Sequence, residues 1–316
     1  MRIDSKGVLI SFHDDPSVTQ LVVPATVKKI APHAFYGAEY LEKVVISEGV
    51  AEIGACAFES CRRLRSVIMP ESLKKMGKGV FSDCYELVEV KLSAGLKEIP
   101  EQTFDNCFSL LSAYIPDGVE RICSNAFNSC SCLKTVRLPD SLDLIGESAF
   151  METFSLRSIS LPDGLEQIAD MTFFRSGLTH ISYMGLEICT EQGIDEEFAF
   201  GREFSEALRE GRFSPEGISS GFREPYIIAF FAKNRSKEAG EYIEKHFPAL
   251  FKTMIRTGNI KAVSAVIEEG GFLSTRNITR YINFAAEQEQ QEIYLMLVRH
   301  KEALGGYSGE SSRFRL

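Results

Sequence analysis

AFNSCSCLKTVRLPDSLDLIGESAF, residues 126–150, spans one full turn of a repeat and opens the next. Its two Ala-Phe pairs, Ala126-Phe127 and Ala149-Phe150, stand 23 residues apart. The same step runs outward in both directions. It passes through Ala34-Phe35, Ala57-Phe58, Val80-Phe81 and Thr103-Phe104 on one side and Thr172-Phe173 on the other. Other columns keep the step. Six residues after each Phe stands Leu, from Leu41 to Leu156; nine after stands Val44, Val67, Val90, Ala113, Val136 or Ile159. Ile46, Met69, Leu92, Ile115, Leu138 and Leu161 follow at eleven, and Ile53, Met76, Ile99, Ile122, Ile145 and Ile168 at eighteen. One such turn cannot bury its own apolar side chains, whereas stacked turns place each column on itself and build a continuous core. The Leu-x-x-Val-x-Ile segment alternates at its end, as a strand with one buried face does. After Phe173 one residue is missing, so Leu178 and Ile181 come a step early and mark the end of the array.

Cys61, Cys84, Cys107 and Cys130 share the position three residues after Phe, where other turns carry Ala38, Thr153 and Ser176. The position selects small side chains, and a free cysteine packs as a small hydrophobe. Disulfides between stacked equivalents would need Cβ vectors that converge. A metal would need ligands meeting at one point rather than strung along an axis.

The pattern A-F-x-x-C-x-x-L-x-x-V-x-[IL]-P with I-G-x-x-A-F resembles the BspA-type (treponemal-type) leucine-rich repeats of bacterial proteins, over about residues 18–185. The resemblance implies a curved, right-handed leucine-rich-repeat solenoid with parallel strands on its inner face. It also implies, for exported members, adhesion to host proteins and other cells. Residues 1–188 are therefore expected to form the solenoid. Residues 1–20 would cap it, with a strand at Val8-Leu9-Ile10 and a turn at Asp14-Asp15-Pro16.

After Cys189 the step vanishes, and residues 189–316 read as a domain of α-helical hairpins. Apolar residues recur at three and four in Phe200-Phe204-Ala207-Leu208 and in Ile243-Phe247-Leu250-Phe251-Met254-Ile255. Pro248 marks a kink or a new helix start. Asn259 is an expected N-cap before Ile260-Val263-Val266-Ile267, and Gly270-Gly271 an expected stop. Ile278-Ile282-Ala285 and Ile293-Met296-Leu297 belong to two further helices, and the Ser/Gly/Arg-rich tail 307–316 is expected to be disordered. Glu191–Glu197 reads as a linker or helix start.

Charge and composition narrow the function. The net charge is −9, of which −7 falls in residues 1–190, and no basic run is present. Neither a nucleic acid nor an anionic membrane is an expected partner. Tyr226–Ala232, the longest apolar run, is far too short to cross a bilayer. The first fifteen residues carry frequent charges and no apolar stretch, which leads us to expect a cytoplasmic protein; a cell-surface adhesin is the alternative. His13, His33, His180, His246 and His300 match no metal-ligand spacing, and neither a phosphate loop nor a G-x-S-x-G elbow occurs. No cofactor, metal or catalytic residue is expected. An enzyme with an unrecognised site in the helical part stays as a further alternative.

The residues left for function are those that point outward between the buried Val and Ile of each strand. They are Val45, Ile68, Lys91, Tyr114 and Arg137, then Ser160 and Ser182. The column two residues earlier includes Ser66, Glu89, Ser112 and Thr135. Tyr114 is expected one rung from both Lys91 and Arg137, within reach of cation–π contact. An exposed aromatic between cations, beside exposed Val45 and Ile68, makes a protein- or peptide-binding face of Val45, Ile68, Glu89, Lys91, Tyr114 and Arg137. Val and Ile are also ordinary strand formers on an exposed face, which leaves the face as a whole better supported than any member.

Overall fold

The computed structural model describes residues 1–191, 194, 199–218 and 220–305. The tail at 307–316 and most of the Glu191–Glu197 segment lie outside the described residues.

The phenylalanines form one spine. Phe35, Phe58, Phe81, Phe104, Phe127, Phe150 and Phe173 are all buried, with successive ring centroids 4.5–5.7 Å apart and planes within 21° of parallel. That spacing matches the distance between neighbouring parallel strands, so each ring rides on the backbone ladder beneath it. Phe12, one repeat step before Phe35, extends the spine into the N-terminal segment: its ring lies 5.2 Å from that of Phe35. Its amide donates to Ala34, the same step by which Phe35 donates to Ala57.

The Leu-x-x-Val-x-Ile segments are parallel strands. Gln20–Val23 pairs with Lys43–Ile46, which pairs with Ser66–Ile68, which pairs with Glu89–Lys91, always in register by one full repeat. Ser112–Tyr114 pairs with Thr135–Arg137 at the same step, whereas Ser158–Leu161 meets His180–Tyr183 one residue short of it, the residue lost at the end of the array. A second ladder, not expected as strand, runs through the Ile53 column, from Lys29–Ile30 to Lys75–Met76 and from Glu98–Ile99 to Gln167–Ile168. Each turn thus has two strand faces, a third ladder of turn-to-turn hydrogen bonds runs along the Phe turns, and the apolar columns lie between them.

Two residues per turn flank the Phe in the left-handed region, among them His33, Cys56 and Gln102 before it and Ser60, Asp83 and Asn106 after it. These let the chain reverse sharply around each ring. The column of small residues lies just beyond. Cys61, Cys84, Cys107 and Cys130 are fully buried, and each thiol donates to the Phe carbonyl of the preceding turn at 3.1–3.2 Å. The thiol therefore fills the space and also satisfies a buried carbonyl.

At the N-terminus, Arg2–Ile3 runs antiparallel to Val8–Ser11, which pairs with Lys29–Ile30. The turn at Asp14-Asp15 is held by the Asp15 carboxylate, which accepts from the Ser17 amide at 2.8 Å and its hydroxyl at 2.7 Å. At the other end, Leu186–Cys189 turns back antiparallel on His180–Tyr183 and supplies the last strand.

Helices α1 (Arg202–Arg209), α2 (Ser220–Asn234), α3 (Lys237–Lys245), α4 (Phe247–Arg256), α5 (Ile260–Glu269), α6 (Ile278–Glu287) and α7 (Gln291–Ala303) follow. Pro248 opens a new helix rather than kinking one, as its missing amide proton allows in a first turn. The Asn259 side chain accepts from the Ala262 amide at 3.0 Å, and Gly270 ends α5 with φ +74°. Helices α4 and α5 pack together, as do α6 and α7, and α6 and α7 also meet α4 and α5 respectively.

The helical part seals the solenoid. Helix α2 lies on Leu186–Cys189. Phe200 exchanges backbone hydrogen bonds with Ile168 and stacks 5.2 Å from the Tyr183 ring. The Tyr183 hydroxyl donates to Leu165 at 2.6 Å, Arg202 pairs with Glu166 at 2.5 Å, and Lys261 pairs with Glu187 at 3.0 Å. One hydrophobic cluster runs without a break from Leu9 to Leu297.

Candidate functional site

Strand geometry decides which side chains face outward. Val44, Val67 and Ala113 turn into the core, so the residues after them turn out. Val22, Val45, Ile68 and Lys91 occupy one register line, and Tyr114 and Arg137 occupy the matching line of the next sheet. Gln20, Lys43, Ser66 and Glu89 form the parallel line two residues earlier.

The long strands do not form one uniform sheet. A four-stranded sheet ends at Glu89–Lys91 and a two-stranded sheet begins at Ser112–Tyr114. Over that junction lies a groove of about 560 Å³, lined among others by Ile68, Glu71, Glu89, Lys91, Ser112 and Tyr114. Ile68 is 39% exposed and Tyr114 53% exposed. The groove is open to water, with apolar Ile68 and Tyr114 bordered by the charges of Glu71, Glu89 and Lys91.

Arg137 and Tyr114 make a double contact. The guanidinium carbon sits 4.6 Å from the Tyr114 ring centroid, and a guanidinium nitrogen donates to the tyrosine hydroxyl. The contact presents the ring as a fixed plate. Lys91 does not join it. Its ammonium pairs with Glu71 at 3.4 Å, on the turn leaving the preceding strand. Val45 is half-buried, between the neighbouring side chains of its column, rather than exposed as its place between Val44 and Ile46 led us to expect. The Ser66 hydroxyl donates to Glu89 at 3.2 Å.

Glu48, which holds the Glu71 turn beside the groove, is itself held by the backbone. The Glu48 carboxylate accepts from the Glu71 amide at 2.9 Å and the Ser72 amide at 3.1 Å, and the Glu71 amide bond foremost holds its carboxyl below the ordinary range. Of the six expected face residues, the groove gathers Ile68, Glu89, Lys91 and Tyr114; Val45 and Arg137 stand at its two ends. Sequence reasoning missed Val22, 61% exposed and next to Val45 in register, because the first Phe used to number the turns lies after it. Glu71 was missed as well, since it lies beyond the strand. Its charge, opposite to that of Lys91 and one turn earlier in the array, is the signal that could have found it.

The BspA-type leucine-rich-repeat region model matches six copies over residues 10–133 and 97–185, more than half of the 316-residue chain. This chain belongs to the BspA-type leucine-rich-repeat family. Two solved structures show the likeness in three dimensions. A leucine-rich repeat protein from Eubacterium ventriosum is 26% identical with TM-score 0.52, over 54% of this chain and 46% of that one. A leucine-rich cell surface protein from Faecalibacterium prausnitzii is 25% identical with TM-score 0.52, over 63% of this chain and 55% of that one. The match thus spans about half the length of either protein. No curated protein matches the chain. No helix among the described residues is long and apolar enough to cross a membrane.

Proposed function

We propose that this BspA-type repeat protein is a non-enzymatic scaffold that holds a protein or peptide segment across the outer face of its long strands. The observation that carries the reading is the groove in which Ile68, Glu89, Lys91 and Tyr114 meet, with Arg137 fixing the tyrosine from behind. Ile68 and Tyr114 supply the apolar anchor, and Tyr and Arg are the residue types that dominate binding energy at interfaces. The Lys91–Glu71 pair and Glu89 supply charge of both signs at the rim, which fixes register more than affinity. A stacked array gives this face a rigid backbone, so little ordering cost falls on the scaffold when a partner binds. In this reading residues 1–188 present the face and residues 189–316 close the end of the array.

The test is capture of partners from the native host by wild type and by the Tyr114→Ala/Arg137→Glu double variant. Both substitutions lie on the exposed face and leave the core intact. Loss of a wild-type partner supports the reading, and equal capture removes this face as the site.

The cytoplasm is the compartment we assign. The four buried thiols, each donating to a carbonyl, fit a reducing environment. A cell-surface adhesin is the second reading, favoured by the similarity to the cell surface protein of Faecalibacterium prausnitzii. Fractionation of native cells separates the two: recovery with the soluble interior supports the first, and recovery on the surface supports the second.

A further inference from the structure

Away from the strand face, at the turns that lead into the Phe spine, three ligand-type side chains converge. His33, Cys56 and Glu59 each offer a ligand atom, and these atoms all lie within 4.8 Å of one another. We propose that His33, Cys56 and Glu59 bind a thiophilic divalent transition-metal ion of the Zn²⁺ type, with the remaining coordination position open to solvent.

The repeat itself builds the site. His33 and Cys56 hold the same position, two residues before Phe, on successive turns. Both are left-handed, with φ of 56° and 55°, so the two side chains leave the backbone in the same direction, one rung apart. The backbone beneath them is tied. The His33 amide donates to Ala55 at 3.1 Å, the Cys56 amide to Lys78 at 2.9 Å, and the Glu59 amide to Cys56 at 3.2 Å. The last of these bonds closes the turn that brings the carboxylate over the thiol. On the next turn the equivalent position is Gly79, whose missing side chain keeps the far side of the sulfur clear: a Cβ there would stand 3.3 Å from Cys56 Sγ.

The donor set selects the ion. Imidazole, thiolate and carboxylate are the ordinary ligands of Zn²⁺, at about 2.0–2.3 Å. Ligands at such bond lengths around a tetrahedral ion stand roughly 3.3–3.8 Å apart. Rotation of the exposed His33 and half-buried Glu59 side chains closes the difference. A thiolate disfavours Mg²⁺ and Ca²⁺, which take oxygen donors. Three protein ligands with a fourth position facing water is the open form of such a site, in contrast to the closed four-ligand form. Sequence spacing hid the cluster because its members belong to two turns and two different columns.

Co²⁺ serves as the probe, since its thiolate complexes absorb in the near ultraviolet and tetrahedral Co²⁺ absorbs in the visible. The reduced full-length chain is titrated with Co²⁺, then with Zn²⁺ as competitor. We expect saturation at one equivalent, a thiolate charge-transfer band, and displacement by Zn²⁺. Cys56→Ser abolishes the band, and His33→Ala weakens binding by more than about tenfold, the loss seen even for outer-shell partners of a metal. Cys132→Ser, which removes the exposed thiol elsewhere in the array, leaves both unchanged. Circular dichroism of each variant confirms the fold. Absence of the band in wild type, its survival in Cys56→Ser, undiminished affinity in His33→Ala, or its loss in Cys132→Ser each overturns the proposal.

Discussion

Truncating a ring in the middle of the spine should cost far more than truncating one at its end. Phe104 is 1% exposed and lies between Phe81 at 5.6 Å and Phe127 at 5.1 Å. Phe104→Ala removes the buried ring and leaves a cavity that the stacked backbones cannot close, a loss of about 3–5 kcal/mol. Two aromatic contacts disappear with it, each worth roughly 0.5–1.5 kcal/mol, so the upper part of that range is expected. Phe12 is half-buried and touches one ring of the spine, Phe35. Phe12→Ala should cost about 1.3–3 kcal/mol, half a burial plus one contact. The chain has no tryptophan, so urea unfolding is best followed by far-ultraviolet circular dichroism. Stability in a stacked array is a sum of nearest-neighbour terms, and a central lesion breaks two interfaces where a terminal one breaks one. Phe104→Ala is therefore expected to lower the urea midpoint clearly more than Phe12→Ala does. Equal midpoints, or a Phe104→Ala loss under about 1 kcal/mol, would refute the stacked-spine argument.

Three further outcomes follow from the same structure. Burial pushes the Cys61 thiol up to about 12 and raises those of Cys84, Cys107 and Cys130. Above about pH 9 the unfolded chain loses those protons while the folded chain keeps them, so stability falls as pH rises, by about 1.4 kcal/mol per pH unit per thiol. Melting temperatures should drop steeply from about pH 9 to about pH 10.5, and a flat profile would show that the thiols are not held neutral. Gln102 is exposed with φ +55°, so Gln102→Gly should raise stability by about 0.5–1 kcal/mol in urea titrations, and a loss would contradict the left-handed assignment. Tyr183→Phe removes the buried hydrogen bond to Leu165 at a cost of about 1–2 kcal/mol. Amide exchange in α1 should stay unchanged, because the ring that stacks on Phe200 remains; faster exchange there would mean that the hydroxyl itself anchors α1.

The spine and the strand columns were legible because burial recurs at one fixed interval and tolerates few residue types. Phe12 keeps that interval, but Val18 and Leu21 stand where the later turns carry Leu and Val, so it read as part of a cap. The second strand ladder was harder to see. Its strands are two residues long, as at Glu52–Ile53, too short for alternation to register. Leu186–Cys189 pairs antiparallel with its neighbour and owes nothing to the repeat, so no column announced it. In the helical part, Pro248, Asn259 and Gly270 act through local backbone chemistry and could be read directly. Helix α2 carries Pro225 inside it and is buried over much of its length, which erases the three-four pattern. On the strand face, the order of residues follows from alternation alone, but the choice between partners does not. Alternation places Lys91 one rung from Tyr114, but the turn after Ile68 brings Glu71 to its ammonium, and alternation says nothing of that turn.

The binding face can be tested at single-residue resolution by photo-crosslinking. A benzophenone amino acid is placed at position 114, on the groove, or at position 75, on the exposed side of the Lys75–Met76 strand in the other ladder. Irradiation with native partners present should yield a covalent protein adduct from position 114 and none from position 75. Adducts from position 75 alone would place recognition elsewhere on the solenoid.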